Sequence, residues 1–207
     1  MGYSTSFDGE FTIEPHLKPE HLAYLKQFAN TRRVRRDPEK AELLPDPIRI
    51  AAGLPIGLEG AYFVGNESFK GQDKDASVID GNSPPGIPSS SAFYAKHSVS
   101  YGWRSQNATW YNDWLKAKAA GLQCGGQPGL WCQWIPNDEG TTLGWDEGEK
   151  FYEYEDWLRY LIEHFLAPWH YTVNGEVEWV GEDSSDLGQL VVTNNVVTVK
   201  LGSVVYR

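Results

Sequence analysis

Apolar residues at Tyr3, Phe7, Phe11 and Ile13 fall on every second or fourth position, which predicts a half-buried strand over residues 3–13. The period then changes. Pro19 stands where a helix would begin, and Leu22, Leu25 and Phe28 form a helical stripe, so a helix is expected over 19–33. Pro38, Pro45 and Pro47 break the chain after it. Residues 48–85 have no sustained period beyond a short apolar run, Ala61-Tyr62-Phe63-Val64, which reads as a strand.

The second half is more regular. Leu130–Ile135 reads as a strand, and Asn137-Asp138-Glu139-Gly140 as a turn. From Lys150 to Ala167 the apolar residues hold helical spacing on a broad face, acids crowd the first turns, and Pro168 ends the run. Tyr171, Val173, Val177 and Trp179 alternate with Glu176 and Glu178, the pattern of a strand with one wet face. Residues 187–193 and 196–201 form a hairpin around Asn194-Asn195, and 204–206 a last short strand. The fold class implied is α+β: an antiparallel or mixed sheet with two main helices packed on one face.

A turn-rich stretch around Pro84-Pro85 and another at Gly125–Gly129 bracket residues 86–126 like an insertion. Within that bracket, residues 105–121 read as a helix capped by Ser105 or Asn107 and stopped by Gly121, so the expected organisation is one α+β domain over 1–207 carrying a helical insertion at 86–126.

Composition adds one strong asymmetry. Of a formal charge of −10, the segment from Asp138 to Asp186 carries −12, with fourteen Asp/Glu against Lys150 and Arg159. Such a chain lacks the basic face that direct nucleic-acid binding needs. No apolar run reaches the ~20 residues of a membrane span, and the opening residues have neither a basic nor an apolar signal region. A cytoplasmic location is therefore expected. Cys124 and Cys132, eight apart, match no metal or redox spacing.

Candidate chemistry falls into three groups. Arg32, Arg33, Arg35 and Arg36 form the strongest basic cluster. Their guanidinium forks either hold a phosphate or nucleotide, or serve as internal counterions to the acidic segment. The turn at 181–186 places Glu182, Asp183 and Asp186 near Glu176 and Glu178, either a divalent-metal site of a hydrolase or a solvated acidic turn; no cofactor is otherwise implied. All nine tryptophans lie between Trp103 and Trp179. Trp157, Trp169 and Trp179 belong to the helix–strand unit, and Trp103, Trp110 and Trp114 to the insertion. Trp131, Trp134 and Trp145 are left as candidates for an exposed aromatic site, with Trp131 and Trp134 on opposite faces of a strand. No nucleophile motif is present, and His164 beside Glu163 is either an acid–base pair or a helix-end histidine.

The stretches Pro128-Gly129-Leu130-Trp131-Cys132-Gln133-Trp134, Gly148-Glu149-Lys150-Phe151-Tyr152, Asn174-Gly175-Glu176-Val177-Glu178-Trp179 and Gly181-Glu182-Asp183 carry a resemblance. With the opening Met-Gly-Tyr and Thr31-Arg32-Arg33, they resemble a family of small uncharacterised proteins of phage genomes, bacterial mobile elements and environmental sequences. In that family the double proline runs almost directly into Pro-Gly-Leu-Trp, which again marks 86–126 as inserted. The resemblance brings no established activity with it. The reading it leaves is a non-enzymatic accessory protein that binds a host or phage protein through an acidic, aromatic surface.

Overall fold

A computed structural model describes residues 2–65, 76–85 and 126–204. Its backbone is a six-stranded sheet in the order β4-β5-β1-β6-β7-β8 with every pairing antiparallel. The strands are β1 (Thr5–Glu14), β4 (Trp134–Pro136), β5 (Thr142–Trp145), β6 (Thr172–Gly181), β7 (Leu187–Thr193) and β8 (Val196–Leu201). A separate two-stranded ribbon pairs β2 (Arg35–Arg36) with β3 (Val78–Asp80). Helices α1 (Pro19–Ala29) and α4 (Tyr154–Leu161) share one buried cluster with the inward residues of the sheet, so the fold is α+β.

Strand alternation decides which face is covered. Phe11, Ile13, Val173, Val177, Trp179, Leu190 and Val192 point inward and are buried. They meet Tyr24, Leu25 and Phe28 of α1 and Trp157, Leu158 and Leu161 of α4. Trp179 covers its cross-strand partner Gly188, where a methyl group would lie 2.2 Å from the Trp179 Cη2 and 2.4 Å from the Lys200 carbonyl oxygen. Gly188→Ala is therefore expected to cost about 1–3 kcal/mol by overpacking, read as a lower urea midpoint with an unchanged slope.

The β7–β8 hairpin turns at Asn194 and Asn195, both at positive φ (48° and 69°), as a two-residue primed turn requires. The Asn195 side chain also straps the hairpin to the start of β6: its Oδ1 accepts from Val173 N at 2.6 Å and its Nδ2 donates to Tyr171 O at 2.9 Å.

Several elements differ from the sequence expectations. The first helix ends at Ala29, four residues early. The Asn30 and Thr31 side chains take up the Lys26 and Gln27 carbonyls, and Arg33 N turns away to donate to Leu130 O. The second helix starts at Tyr154 because Lys150 and Glu153 hold positive φ, and it continues into a π turn over Ile162–Leu166 closed by Ala167 N on Ile162 O. Residues 61–64 form no strand. Gly60 and Gly65 at positive φ bend the chain there, and the carbonyls of Ala61, Tyr62 and Phe63 accept from Arg33, Gln127 and Tyr24 side chains.

Pro38 and Pro47 start short helices rather than only breaking the chain: α2 (Pro38–Glu42) and α3 (Pro47–Ala51) are capped by the Asp37 and Asp46 side chains. The strand expected over 130–135 is confined to Trp134–Pro136, and β5 was not expected at all. The helix at 105–121 and nearly all of the insertion at 86–126 lie outside the described residues. So do Trp103, Trp110, Trp114 and Cys124, and most of the strand expected at 204–206. The two sides of that stretch do meet, with Gln127 N donating to Pro85 O at 2.9 Å.

Candidate functional site

The inward residues of β1 and β6 bury the core, so their alternate residues form the outer face of the two central strands. On β1 these are Ser6, Asp8, Glu10 and Thr12; on β6, Asn174, Glu176, Glu178 and Val180. The register sets Asp8 directly opposite Glu178 and Glu10 directly opposite Glu176, and all four are exposed. Like charges in directly opposed positions destabilise a sheet by roughly 0.2–1 kcal/mol per pair.

Among the described residues no cation pairs with them. Glu176 accepts a hydrogen bond from Gln189 Nε2 at 2.9 Å, and the Lys200 ammonium on the same face donates to Gln189 Oε1 at 3.3 Å rather than to a carboxylate.

At one margin this acidic face runs into an open groove of about 600 Å³ lined by Phe7, Asp8, Gly9, Glu10, Gly144, Trp145 and Glu147. Trp145 is half-buried, edge-on to Phe7 at 5.4 Å, and its Nε1 donates to Gln133 Oε1 at 3.0 Å. Trp134, its cross-strand partner, is buried in the core and donates to Tyr154 O at 2.8 Å. Trp131 is half-buried in the segment leading into β4. Of the three tryptophans left open by the sequence, only Trp145 borders the acidic groove. Trp157 and Trp179 are core, and Trp169 stacks on His21 at 3.9 Å.

The four arginines turn inward, onto residues between Glu59 and Gly81 and onto Gln127. Arg33 is fully buried under the ring of Phe28; it donates from Nε to Gln127 Oε1 at 3.0 Å, from Nη1 to Phe63 O at 2.9 Å and from Nη2 to Ala61 O. Burial pulls its pKa down, and the neighbouring Tyr24 and Tyr160 oppose that shift. Arg36 lies over the Phe63 ring and donates to Ser77 Oγ at 2.8 Å. Arg35 forms a fork with Glu59, and Arg32 donates to Gly81 O. The cluster fastens residues 59–63 and 77–81 to the core.

The carboxylates proposed as metal ligands separate into two places. Glu176 and Glu178 lie on the sheet face. In the turn after β6, Asp186 accepts from Tyr3 Oη at 2.7 Å and from Trp179 Nε1 at 3.3 Å, and Glu182 accepts from Ser4 N at 2.7 Å. Asp183 accepts from Ser185 N at 2.8 Å and Ser185 Oγ at 2.7 Å, which holds its carboxyl below the usual range. Among the described residues no three His, Cys, Asp or Glu side chains gather as a metal would require. His164 stacks on Tyr160 at 4.1 Å and shares a 3.3 Å contact with the Tyr62 hydroxyl. Cys132 is buried, and burial drives its thiol pKa far up, opposite to what a nucleophile needs.

Sequence reasoning found Glu176 and Glu178 but not Asp8 and Glu10. The signal was available: in the first strand these two occupy the polar phase between Phe7 and Phe11. No family model, curated protein or solved structure matches the chain. Among the described residues no helix is long and apolar enough to cross a membrane.

Proposed function

We propose that this protein is a non-enzymatic binding protein that docks a basic partner protein through the exposed acidic face of its sheet. The partner would be a host or phage protein, as the concentrated acidic segment suggests. The observation that carries the reading is the direct opposition of Asp8 to Glu178 and Glu10 to Glu176 without a cationic partner among the described residues. Four exposed carboxylates in two opposed pairs on the central strands oppose folding, and a lysine- or arginine-rich surface would neutralise them on docking. Trp145 belongs to the helix side of the sheet and reaches this face only at the groove margin, where its ring can be contacted. The nucleotide and metal-hydrolase readings draw no comparable support, since the guanidiniums are taken up inside the fold and the carboxylates do not converge.

The test sets stability against binding. The double variant Glu176→Gln/Glu178→Gln should gain about 0.2–1 kcal/mol of stability per opposed pair relieved. It should also bind a ten-residue lysine peptide at least tenfold more weakly than the unaltered protein, and the unaltered protein's affinity should fall as salt rises from 50 to 200 mM. Unaltered peptide affinity in the double variant would place binding elsewhere and sink the proposal.

A further inference from the structure

The sheet is not fully zipped. The pairing of β1 with β5 is confined to Phe11↔Leu143 and Thr12↔Thr142, whereas β1 pairs with β6 along its whole length, from Thr5↔Gly181 to Glu14↔Thr172. Among the described residues, Thr5–Gly9 of this central strand therefore carry a ladder on one side only.

The polarity of the open side follows from alternation. Ile13 N donates to Thr141 O at 2.8 Å, so the odd-numbered residues of β1 direct their N–H and C=O groups toward β5. Continued upstream, the same phase turns the backbone of Gly9, Phe7 and Thr5 to the side where no strand pairs. On the far side, Asp146 N donates to Gln133 O of the β4 side at 3.0 Å, so Trp145 directs its backbone groups back toward β1. The chain then leaves the sheet at Glu147, with φ 62°. The groove of about 600 Å³ lies at this opening; Gly9 lines it without a side chain, and the Glu10 side chain lies against Gly144.

An unpaired stretch of backbone donors and acceptors is a template for another strand. The side chains flanking it specify which strand. An added strand would alternate its side chains between the two faces of the sheet. On the open face they would meet Asp8 and Glu10; on the helix side they would meet Phe7 and Trp145.

We propose that the open edge of β1 at Thr5, Phe7 and Gly9, upstream of its pairing with β5, is a strand-addition site for an extended segment of the partner that alternates lysine or arginine with apolar residues. This inference rests on the acidic-surface reading and adds the mode of binding to it. The charged side chains supply attraction and the β1 edge supplies register.

Three blocked peptides of equal charge separate the possibilities: alternating Lys-Val-Lys-Val-Lys-Val, the same peptide methylated on alternate backbone nitrogens, and the block sequence Lys-Lys-Lys-Val-Val-Val. Their affinities are measured at low salt alongside amide hydrogen exchange of the full chain. Strand addition requires the alternating peptide to bind at least tenfold more tightly than the other two and to slow exchange at Thr5, Phe7 and Gly9. Equal affinity for all three, without protection of those amides, would overturn strand addition and leave the acidic surface standing. If none of the three binds, both readings fall together. Self-association of the chain with the same amides protected in the absence of peptide would assign the open edge to a second copy and overturn the commitment to a basic partner.

Discussion

Arg33→Met should destabilise the protein by roughly 3–5 kcal/mol, out of the 5–15 kcal/mol that holds a typical domain. Methionine retains the apolar stem but leaves the buried carbonyls of Ala61 and Phe63 and the Gln127 side chain short of charged donors. Each buried acceptor that loses its donor costs about 1–3 kcal/mol. Gln127 Nε2 still reaches Ala61 O at 2.6 Å, which limits the loss at that one carbonyl.

Arg33→Lys should recover only part of the stability. An ammonium is a point donor that cannot span three diverging acceptors while lying flat under Phe28. Arg35→Ala supplies the contrast: its fork to Glu59 is less deeply buried, with side chains 14% and 21% exposed, and its loss should cost about 1–3 kcal/mol. Urea unfolding of the three variants separates the roles. A phosphate-binding arginine would be nearly dispensable for stability, so a small effect at Arg33 would revive the ligand reading of this cluster.

Asp46→Ala is the second large effect. This carboxylate is 1% exposed and holds three things at once. Its Oδ1 caps α3 by accepting from Arg49 N at 3.3 Å; its Oδ2 accepts from Arg49 Nε at 3.0 Å and from Val64 N at 3.2 Å. Alanine would strand the largely buried Arg49 guanidinium, and breaking such a pair from one side costs about 3–5 kcal/mol. Asp46→Asn keeps the shape and one acceptor, so it should cost clearly less. Asp37→Ala, at the exposed cap of α2, should cost about 1 kcal/mol. Thermal unfolding monitored by tryptophan fluorescence ranks the three; equal midpoints for the Asp46 and Asp37 alanine variants would contradict the buried network.

These two networks were the least legible part of the sequence, for a physical reason. The helical stripes of α1 and α4, the wet-faced strand β6 and the Asn194-Asn195 hairpin depend on local period and turn chemistry, and all four were readable. Arg33 pairs with residues 28, 30 and 94 positions away, and no local pattern encodes those partners.

Other misses were avoidable. Asp37-Pro38 and Asp46-Pro47 are cap-plus-first-turn pairs, and reading each proline alone as a breaker hid α2 and α3. Ala61–Val64 has strand composition, but Gly60 and Gly65 at positive φ turn it into a compact corner. The β5 strand is four residues long and contains Gly144, too little for a period to show, although the Asn137–Gly140 turn before it was recognised. The acidic face was half legible: Glu176 and Glu178 follow from alternation, and the opposing Asp8 and Glu10 follow only once β1 is set beside β6 in this register.

The most direct test of docking through that face is where a basic ligand lands. A lysine decapeptide titrated into isotope-labelled protein should shift, saturably, the amide resonances of Asp8, Glu10, Glu176 and Glu178 together with the Trp145 indole. Shifts confined to the turn at Glu182–Asp186, or the absence of saturable shifts at low salt, would contradict it.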